Sequence, residues 1–457
     1  MSGKFFSAGA EKIFLTGVTY GPFAPSEGTP FPDKPVVEAD LDGVLELGAN
    51  TLRTFHVPPP WLLDLAGARG LRVLVGVPWT QHVCFLDSPR IVADVRRAVD
   101  AGVRACREHP AVLGYLVGNE VPPDVVRWHG RARIARFLRT LVDQTRQVDP
   151  SALVAYANFP TTDYLETDFT DFLAFNVYLH READFRRYLA RLHSRAPDRP
   201  VVLTELGVDA LREGREGQAR LVSSLVHAAF AAGVAGTFVF SWTDEWFTGG
   251  EAVEDWAFGL VDRKRRPKPV FEAVRHRYAT LPPPPPRRPL VSVVVCAYNE
   301  EATLGACLAG LAEQRYPHHE VIVVNDGSGD RTLEIAQAAP GVRVISQDNR
   351  GLSAARNAGI EAARGEIVAF TDADCVPDPD WLTYLVTAFE TSGHAVVGGP
   401  NLPPPEDALV PSCVAVAPGG PNHVLLTDEV AEHVPGCNMA FTKKAMQEMN
   451  GFEPIFA

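Results

Sequence analysis

Two glutamates stand where apolar runs give way to polar residues: Glu120 in Val117-Gly118-Asn119-Glu120, and Glu205 in Leu203-Thr204-Glu205-Leu206-Gly207. If both runs are strands of one barrel, both carboxyls face one mouth. Carboxyls about 5 to 5.5 Å apart can divide a reaction between them, one attacking an anomeric carbon while the other protonates the leaving oxygen. A second acidic constellation, Asp372-Ala373-Asp374, follows the run Ile367 to Thr371. A D-x-D turn at a strand end suits a hard divalent cation that neutralises a diphosphate.

Positioning these groups requires strands, and the apolar runs supply them. Candidate strands are Ile13 to Val18, Thr51 to Phe55, Arg72 to Val77, Val112 to Val117, Leu153 to Tyr156, Phe172 to Asn176, Val201 to Thr204 and Thr237 to Phe240. Between them, Glu38 to Leu47, Ile91 to Arg107, Ile134 to Gln147, Phe185 to Arg195 and Gln218 to Ala232 carry apolar residues at helical spacing. Eight strand-helix units in about 280 residues predict a (β/α)8 TIM barrel, with its chemistry at the C-terminal ends of the strands. Further on, Val291 to Cys296, Val321 to Asn325, Val342 to Ser346 and Ile367 to Thr371 read as buried strands. They predict a second, mostly parallel α/β domain that binds its ligand at the strand ends.

Leu281 is followed by five prolines, Pro282 to Pro286, then Arg287, Arg288 and Pro289. This stretch favours an extended polyproline helix and reads as a semi-rigid spacer, dividing the chain into 1–280, a linker 281–289, and 290–457. Of the formal charge of −13, −12 belongs to the second part, where residues 281 to 457 carry 10 Lys plus Arg against 22 Asp plus Glu. That acidity argues against a nucleic-acid partner, whose backbone needs a basic face, but leaves room for a nucleotide held through a cation. Seven scattered cysteines without a C-x-x-C pair argue against a disulfide framework and fit a reducing, cytoplasmic setting. No apolar run reaches eighteen residues, and Met1-Ser-Gly-Lys-Phe-Phe-Ser lacks the core of a signal peptide.

On these residues the first part resembles the clan of retaining glycoside hydrolases built on (β/α)8 barrels, which carry Asn-Glu on strand four and Glu on strand seven. Arg53-Thr-Phe-His56-Val-Pro58, and Gly259-Leu-Val-Asp262 to Arg266-Pro267-Lys268-Pro269, look like the β-galactosidase and β-glucuronidase family. Gly17-Val-Thr-Tyr-Gly21 and Val117-Gly-Asn-Glu-Val121 look equally like the clan's β-1,3-glucanases. The resemblance implies that Glu120 is the acid/base, Glu205 the nucleophile and Asn119 a ligand of the sugar 2-hydroxyl. It also implies that Tyr178 steadies Glu205, that Arg53 lies beneath Glu205 and favours its ionised form, and that Trp242 forms a sugar platform. His56 joins the substrate set. Trp246 and Trp256 compete with Trp242, because tryptophans pack in cores as often as they serve as platforms. No cofactor is expected for the barrel.

Val291 to Glu301, Val321 to Asp330, Asn349-Arg-Gly-Leu-Ser-Ala-Ala-Arg356-Asn357-Ala-Gly359 and Ile367 to Asp374 follow in an order that resembles the family-2 inverting glycosyltransferases. That resemblance implies a GT-A-type fold. Asp374 is then the ligand of Mg²⁺ or Mn²⁺, and Asp326 accepts from the base or ribose of a UDP-sugar, UDP-glucose foremost. Ala297, Tyr298 and Glu300 line the base pocket, Arg356 faces the phosphates, and Asp372 joins the nucleotide-binding set. The family's catalytic base follows a segment like Gly451-Phe-Glu453, and this chain stops at Ala457. The expectation is a domain truncated before its base, inactive as a transferase, whose natural gene continues into membrane helices at the bacterial inner membrane.

Together these readings give one chain that builds and remodels β-glycan: a retaining β-glycosidase or transglycosylase joined to a nucleotide-sugar transferase module. The rival is a non-hydrolytic glycan-holding barrel attached to a polysaccharide synthase. Linkage, donor sugar, endo or exo action and oligomeric state stay open.

Overall fold

The computed structural model describes residues 3–9, 11–26, 28–403, 413 and 424–453. The chain divides into two units, Met1–Pro283 and Pro284–Ala457.

In the first unit, eight strands close into a barrel: β1 (Leu15–Tyr20), β2 (Thr51–Thr54), β3 (Arg72–Gly76), β4 (Val112–Asn119), β5 (Leu153–Asn158), β6 (Leu173–Asn176), β7 (Val201–Leu206) and β8 (Gly236–Val239). Neighbours pair in parallel all the way round, with β8 returning to β1 through Gly236 opposite Leu15. Strands buried on both faces need continuous apolar runs, which is why the runs were visible in the sequence. The ends differ from the reading in a way that matters for the site. β4 and β7 continue two residues beyond their apolar runs, to Asn119 and Leu206, so Asn119 and Glu205 lie on rigid ladder and not in loop.

The helices after the strands are α1 (Lys34–Glu46), α2 (Pro60–Ala68), α3 (Pro89–Cys106), α4 (Pro123–His129) and α5 (Arg131–Val148), then α6 (Glu182–Arg195), α7 (Ala210–Ala231) and α8 (Pro269–Tyr278). Prolines open several of them at positions where the missing N–H costs nothing. Ser88 caps α3 by accepting from Ile91 N at 3.4 Å, and Asp209 caps α7 by accepting from Leu211 N at 2.9 Å. In α1, a Cβ on Gly43 would come within 2.7 Å of the Trp242 ring, so the close approach of helix to barrel depends on glycine there.

The second unit holds a six-stranded sheet of β9 (Val291–Ala297), β10 (His319–Asp326), β11 (Val342–Gln347), β12 (Ile367–Asp372), β13 (Val396–Gly398) and β14 (Met439–Thr442), in the order β11-β10-β9-β12-β14-β13. The first four are parallel; β14 runs antiparallel to β12 and to β13. Alternation along β9 feeds two cores. Val291, Val293 and Val295 pack with α9 (Leu304–Ala312), α10 (Thr332–Ala338) and α12 (Trp381–Ser392), and Val294 with α11 (Leu352–Ala362) and α13 (Lys443–Glu448). No helix among the described residues is long and apolar enough to cross a membrane.

Candidate active sites

At the barrel mouth the two glutamates meet on one amide. Asn176, the last residue of β6, places Nδ2 2.8 Å from Glu120 Oε1, 2.9 Å from Glu205 Oε1 and 3.0 Å from Asn119 Oδ1. Its Oδ1 accepts from Thr204 Oγ1 at 2.7 Å, which fixes the orientation of the amide. Two oxygens bonded to one nitrogen are separated by no more than the sum of those two bonds. That bound falls short of the about 6.5 to 9.5 Å needed to seat a water between the carboxyls and agrees with a retaining pair.

Arg53 lies beneath this group, 1% exposed. Its Nη1 donates to Glu205 Oε1 at 2.6 Å and to Thr204 O at 2.7 Å, and its Nη2 donates to Asn119 Oδ1 at 2.7 Å. Its guanidinium also stacks over Phe55 at 4.5 Å. Tyr178 donates to the other carboxylate oxygen, Glu205 Oε2, at 2.7 Å. Glu205 is thus held by three donors, Glu120 by one. With Asn119 Oδ1 committed to Arg53 and Asn176, Asn119 has its NH₂ to offer a sugar hydroxyl.

Glu120 adopts φ +52°, a left-handed conformation that costs a non-glycine residue about 1–2 kcal/mol. Its amide, donating to Ala157 O at 2.9 Å, holds it there. Burial first, then the charge of Glu205, pushes the Glu120 carboxyl up to about 7. A general acid with that pKa is about half protonated at neutrality and almost wholly so a unit or more below it. We therefore expect kcat/KM to fall as pH rises through about 7, with Glu120→Gln abolishing that limb; a flat profile from pH 6 to 9 contradicts the role.

His56 lies half-buried just beyond β2, with its imidazole pushed down by burial, and it hydrogen-bonds neither carboxylate. Trp242 requires a correction. It is 3% exposed, lies against Gly43 of α1 and packs edge-on to Phe271 of α8, so it is core and cannot serve as a platform. The aromatics at the site are Trp246 and Trp256, with ring centroids 5.9 Å apart. Trp246 packs on Phe55 at 5.1 Å, Trp256 is 36% exposed, and Phe240 links both to Tyr178. Trp256→Ala is expected to raise KM for glycan with little loss of stability. Trp242→Ala should instead cost about 3–5 kcal/mol of stability in a denaturant titration.

Sequence reading missed Asn176, which sits inside the segment Phe175-Asn-Val-Tyr178 that pointed to Tyr178. It also missed Gln81, whose Oε1 accepts from Asn119 N at 3.2 Å.

In the second unit the acids gather at the C-terminal ends of β9, β10 and β12. Asp326 is buried, and its carboxylate accepts from Gln347 Nε2 at 2.7 Å, Arg350 N at 3.0 Å and Gly351 N at 2.8 Å. A carboxylate offers about four acceptor positions, so one is left for a ligand. Ala297 is buried at the end of β9, and Tyr298 beside it is 51% exposed. Glu300 accepts from Thr303 Oγ1 at 2.6 Å, and its amide donates to Thr332 Oγ1 at 2.7 Å, joining the turns after β9 and β10. Arg356 Nη2 stands 3.7 Å from Asp372 Oδ1. Burial raises the Asp372 carboxyl, Arg356 opposes that, and the charges of Asp374 and Glu300 add to it. Asp374 is exposed.

A parallel eight-stranded barrel with paired glutamates at its mouth, and a separate α/β unit with acids at its strand ends, define a carbohydrate-active protein of two modules. Residues 2–282 match the family described as glycosyl hydrolases family 2, TIM barrel domain, and the chain belongs to that family. Residues 292–446 match glycosyl transferase family 2, so a family-2 transferase domain follows the barrel. Among solved structures, a β-glucuronidase of Bifidobacterium dentium is 20% identical with a TM-score of 0.53, over 62% of this chain and 48% of that one. A family-2 β-galacturonidase of Eisenbergiella tayi is 20% identical with a TM-score of 0.52, over 61% and 53%. At that identity the likeness concerns the fold. Among curated relatives, EpsH of Bacillus subtilis is 45% identical over 102 residues, 21% of this chain and 30% of EpsH. The glycosyltransferase AglE of Haloferax volcanii is 41% identical over 118 residues, 24% and 39%. The chain thus spans less than half the length of these two relatives and about half that of the solved structures.

Proposed function

We propose that the barrel cleaves or transfers a β-glycoside with retention. Glu205 attacks the anomeric carbon, forming a glycosyl ester as the bond to the leaving oxygen breaks, and Glu120 gives its proton to that oxygen. Glu120 then takes a proton from water or an acceptor hydroxyl, which displaces Glu205 and releases the sugar. Arg53 and Tyr178 hold the Glu205 carboxylate in place, and the Asn119 NH₂ binds a hydroxyl of the reacting sugar. The observation that carries this reading is the single Asn176 nitrogen shared by the two carboxylates. A fluorinated, activated β-glycoside tests it: peptide mapping is expected to find one equivalent of label on Glu205, and label on Glu120 reverses the roles. Screening β-1,2-, β-1,3-, β-1,4- and β-1,6-glucans, together with uronides, assigns the substrate.

For the second unit we propose binding of a nucleotide sugar, a UDP-sugar foremost, with a divalent cation. The oxygen-only set of Asp372 and Asp374 fits Mg²⁺ or Mn²⁺. Burial raises the Asp372 carboxyl, so a cation there would favour its ionised form. When bound, the ion neutralises diphosphate charge. Asp326 offers its remaining acceptor position to the nucleoside, and Arg356 opposes the phosphates.

A further inference from the structure

Outside both sites, the described residues hold one group of three metal-donor side chains of mixed sulfur, nitrogen and oxygen type. Cys84, Asp87 and His129 bring a thiol sulfur, a carboxylate oxygen and an imidazole nitrogen within 4.8 Å of one another. Cys84 and Asp87 belong to the loop between β3 and α3, and His129 ends α4, just after the strand that carries Glu120. Two loops of the barrel mouth therefore meet here.

His129 makes this more than a surface cluster. Its side chain is 0% exposed, and its Nδ1 is buried without a hydrogen-bond partner. Asp87 Oδ1 stands 3.6 Å from it, beyond hydrogen-bond length but close to the spacing of two ligands on one tetrahedral ion. The ring cannot turn away, because Phe85 packs on it at 5.5 Å and Nε2 receives a long 3.4 Å contact from Leu86 N. Asp87 is oriented too: Trp128 Nε1 donates to its Oδ2 at 2.6 Å, leaving Oδ1 toward His129. Arg133 Nη1, half-exposed, stands 3.9 Å from the same Oδ1.

We propose that Cys84, Asp87 and His129 form a binding site for a divalent transition ion of the zinc type, with water as fourth ligand. One thiolate, one imidazole and one carboxylate select against Mg²⁺ and Ca²⁺, which take oxygen ligands. On binding, the thiol proton passes to solvent and the imidazole proton moves from Nδ1 to Nε2, at the expense of the long contact with Leu86. The ion ties the β3–α3 loop to α4. That loop also carries Trp79, whose Nε1 donates to Val117 O at 2.8 Å, and Gln81, bonded to Asn119 N. The site therefore braces the strand end that presents Asn119 and Glu120.

The test uses the full chain, stripped with a chelator and titrated with Co²⁺ and then Zn²⁺. One equivalent of Co²⁺ is expected to produce a thiolate-to-cobalt charge-transfer absorption that Zn²⁺ bleaches, and Zn²⁺ alone should raise the unfolding temperature of the barrel. Cys84→Ser, at an exposed position that leaves the fold intact, should abolish both responses. Asp87→Asn should weaken them, and Cys375→Ser, in the other unit, should leave them unchanged. No absorption, or an absorption that survives Cys84→Ser or disappears with Cys375→Ser, overturns the proposal.

Discussion

A Glu205→Gln chain is expected to bind glycan and lose turnover of an unactivated β-glycoside by on the order of 10⁴-fold or more, because no covalent intermediate can form. With the glutamine carbonyl in the place of Oε1 it still accepts from Arg53, and the NH₂ in the place of Oε2 can donate to the Tyr178 hydroxyl, so the geometry of the mouth survives. Only the charge and the nucleophile are gone. The measurement is initial rate with the best glycan from the linkage screen, alongside binding of the same glycan to both forms. Equal, slow background turnover by both forms, with binding intact, would establish the barrel as a glycan-holding module.

Arg53 should yield a stability effect as large as that of Trp242. Arg53→Met removes the cation from a buried group and leaves Glu205, Thr204 O and Asn119 Oδ1 each one donor short. Breaking one side of a buried pair costs about 3–5 kcal/mol, most of it the penalty of stranding the remaining charge. The double change Arg53→Met with Glu205→Gln should therefore be less destabilised than the two single changes combined, since no lone charge is left. Denaturant titration followed through the barrel transition checks this. A single-variant loss below about 1 kcal/mol would place the pair in the weak, solvated class.

Legibility in the sequence followed the physics of each element. The barrel strands are buried on both faces, so they had to be written as apolar runs, and counting eight of them gave the barrel. Their C-terminal ends were not legible: Asn119 and Asn158 continue the ladder in residues that look like loop. Asn176 escaped for a related reason. Its role exists only where three strands bring their ends to one nitrogen, and no local spacing encodes that meeting. Trp242 misled because a tryptophan after a strand has the same composition whether it faces the mouth or a helix; Gly43, some two hundred residues earlier, is what makes room for it. The antiparallel strands β13 and β14 went unread because Val396–Gly398 is too short to stand out. The Cys84, Asp87 and His129 group is split between two loops, with no motif spacing to announce it.

The shared Asn176 nitrogen has a consequence for the order of events. An amide nitrogen carries two hydrogens, and here three oxygens compete for them. While Glu205 is a free carboxylate, its charge works with burial to hold the Glu120 proton on. Once Glu205 becomes an ester, that charge vanishes and its claim on the Asn176 hydrogens weakens, so the amide turns more fully to Glu120. Both changes favour the ionised form of Glu120. In the retaining cycle proposed for the barrel, Glu120 is thus an acid in the first half and a base in the second, with no movement of the backbone, timed by the covalent state of one carboxylate read through one shared amide.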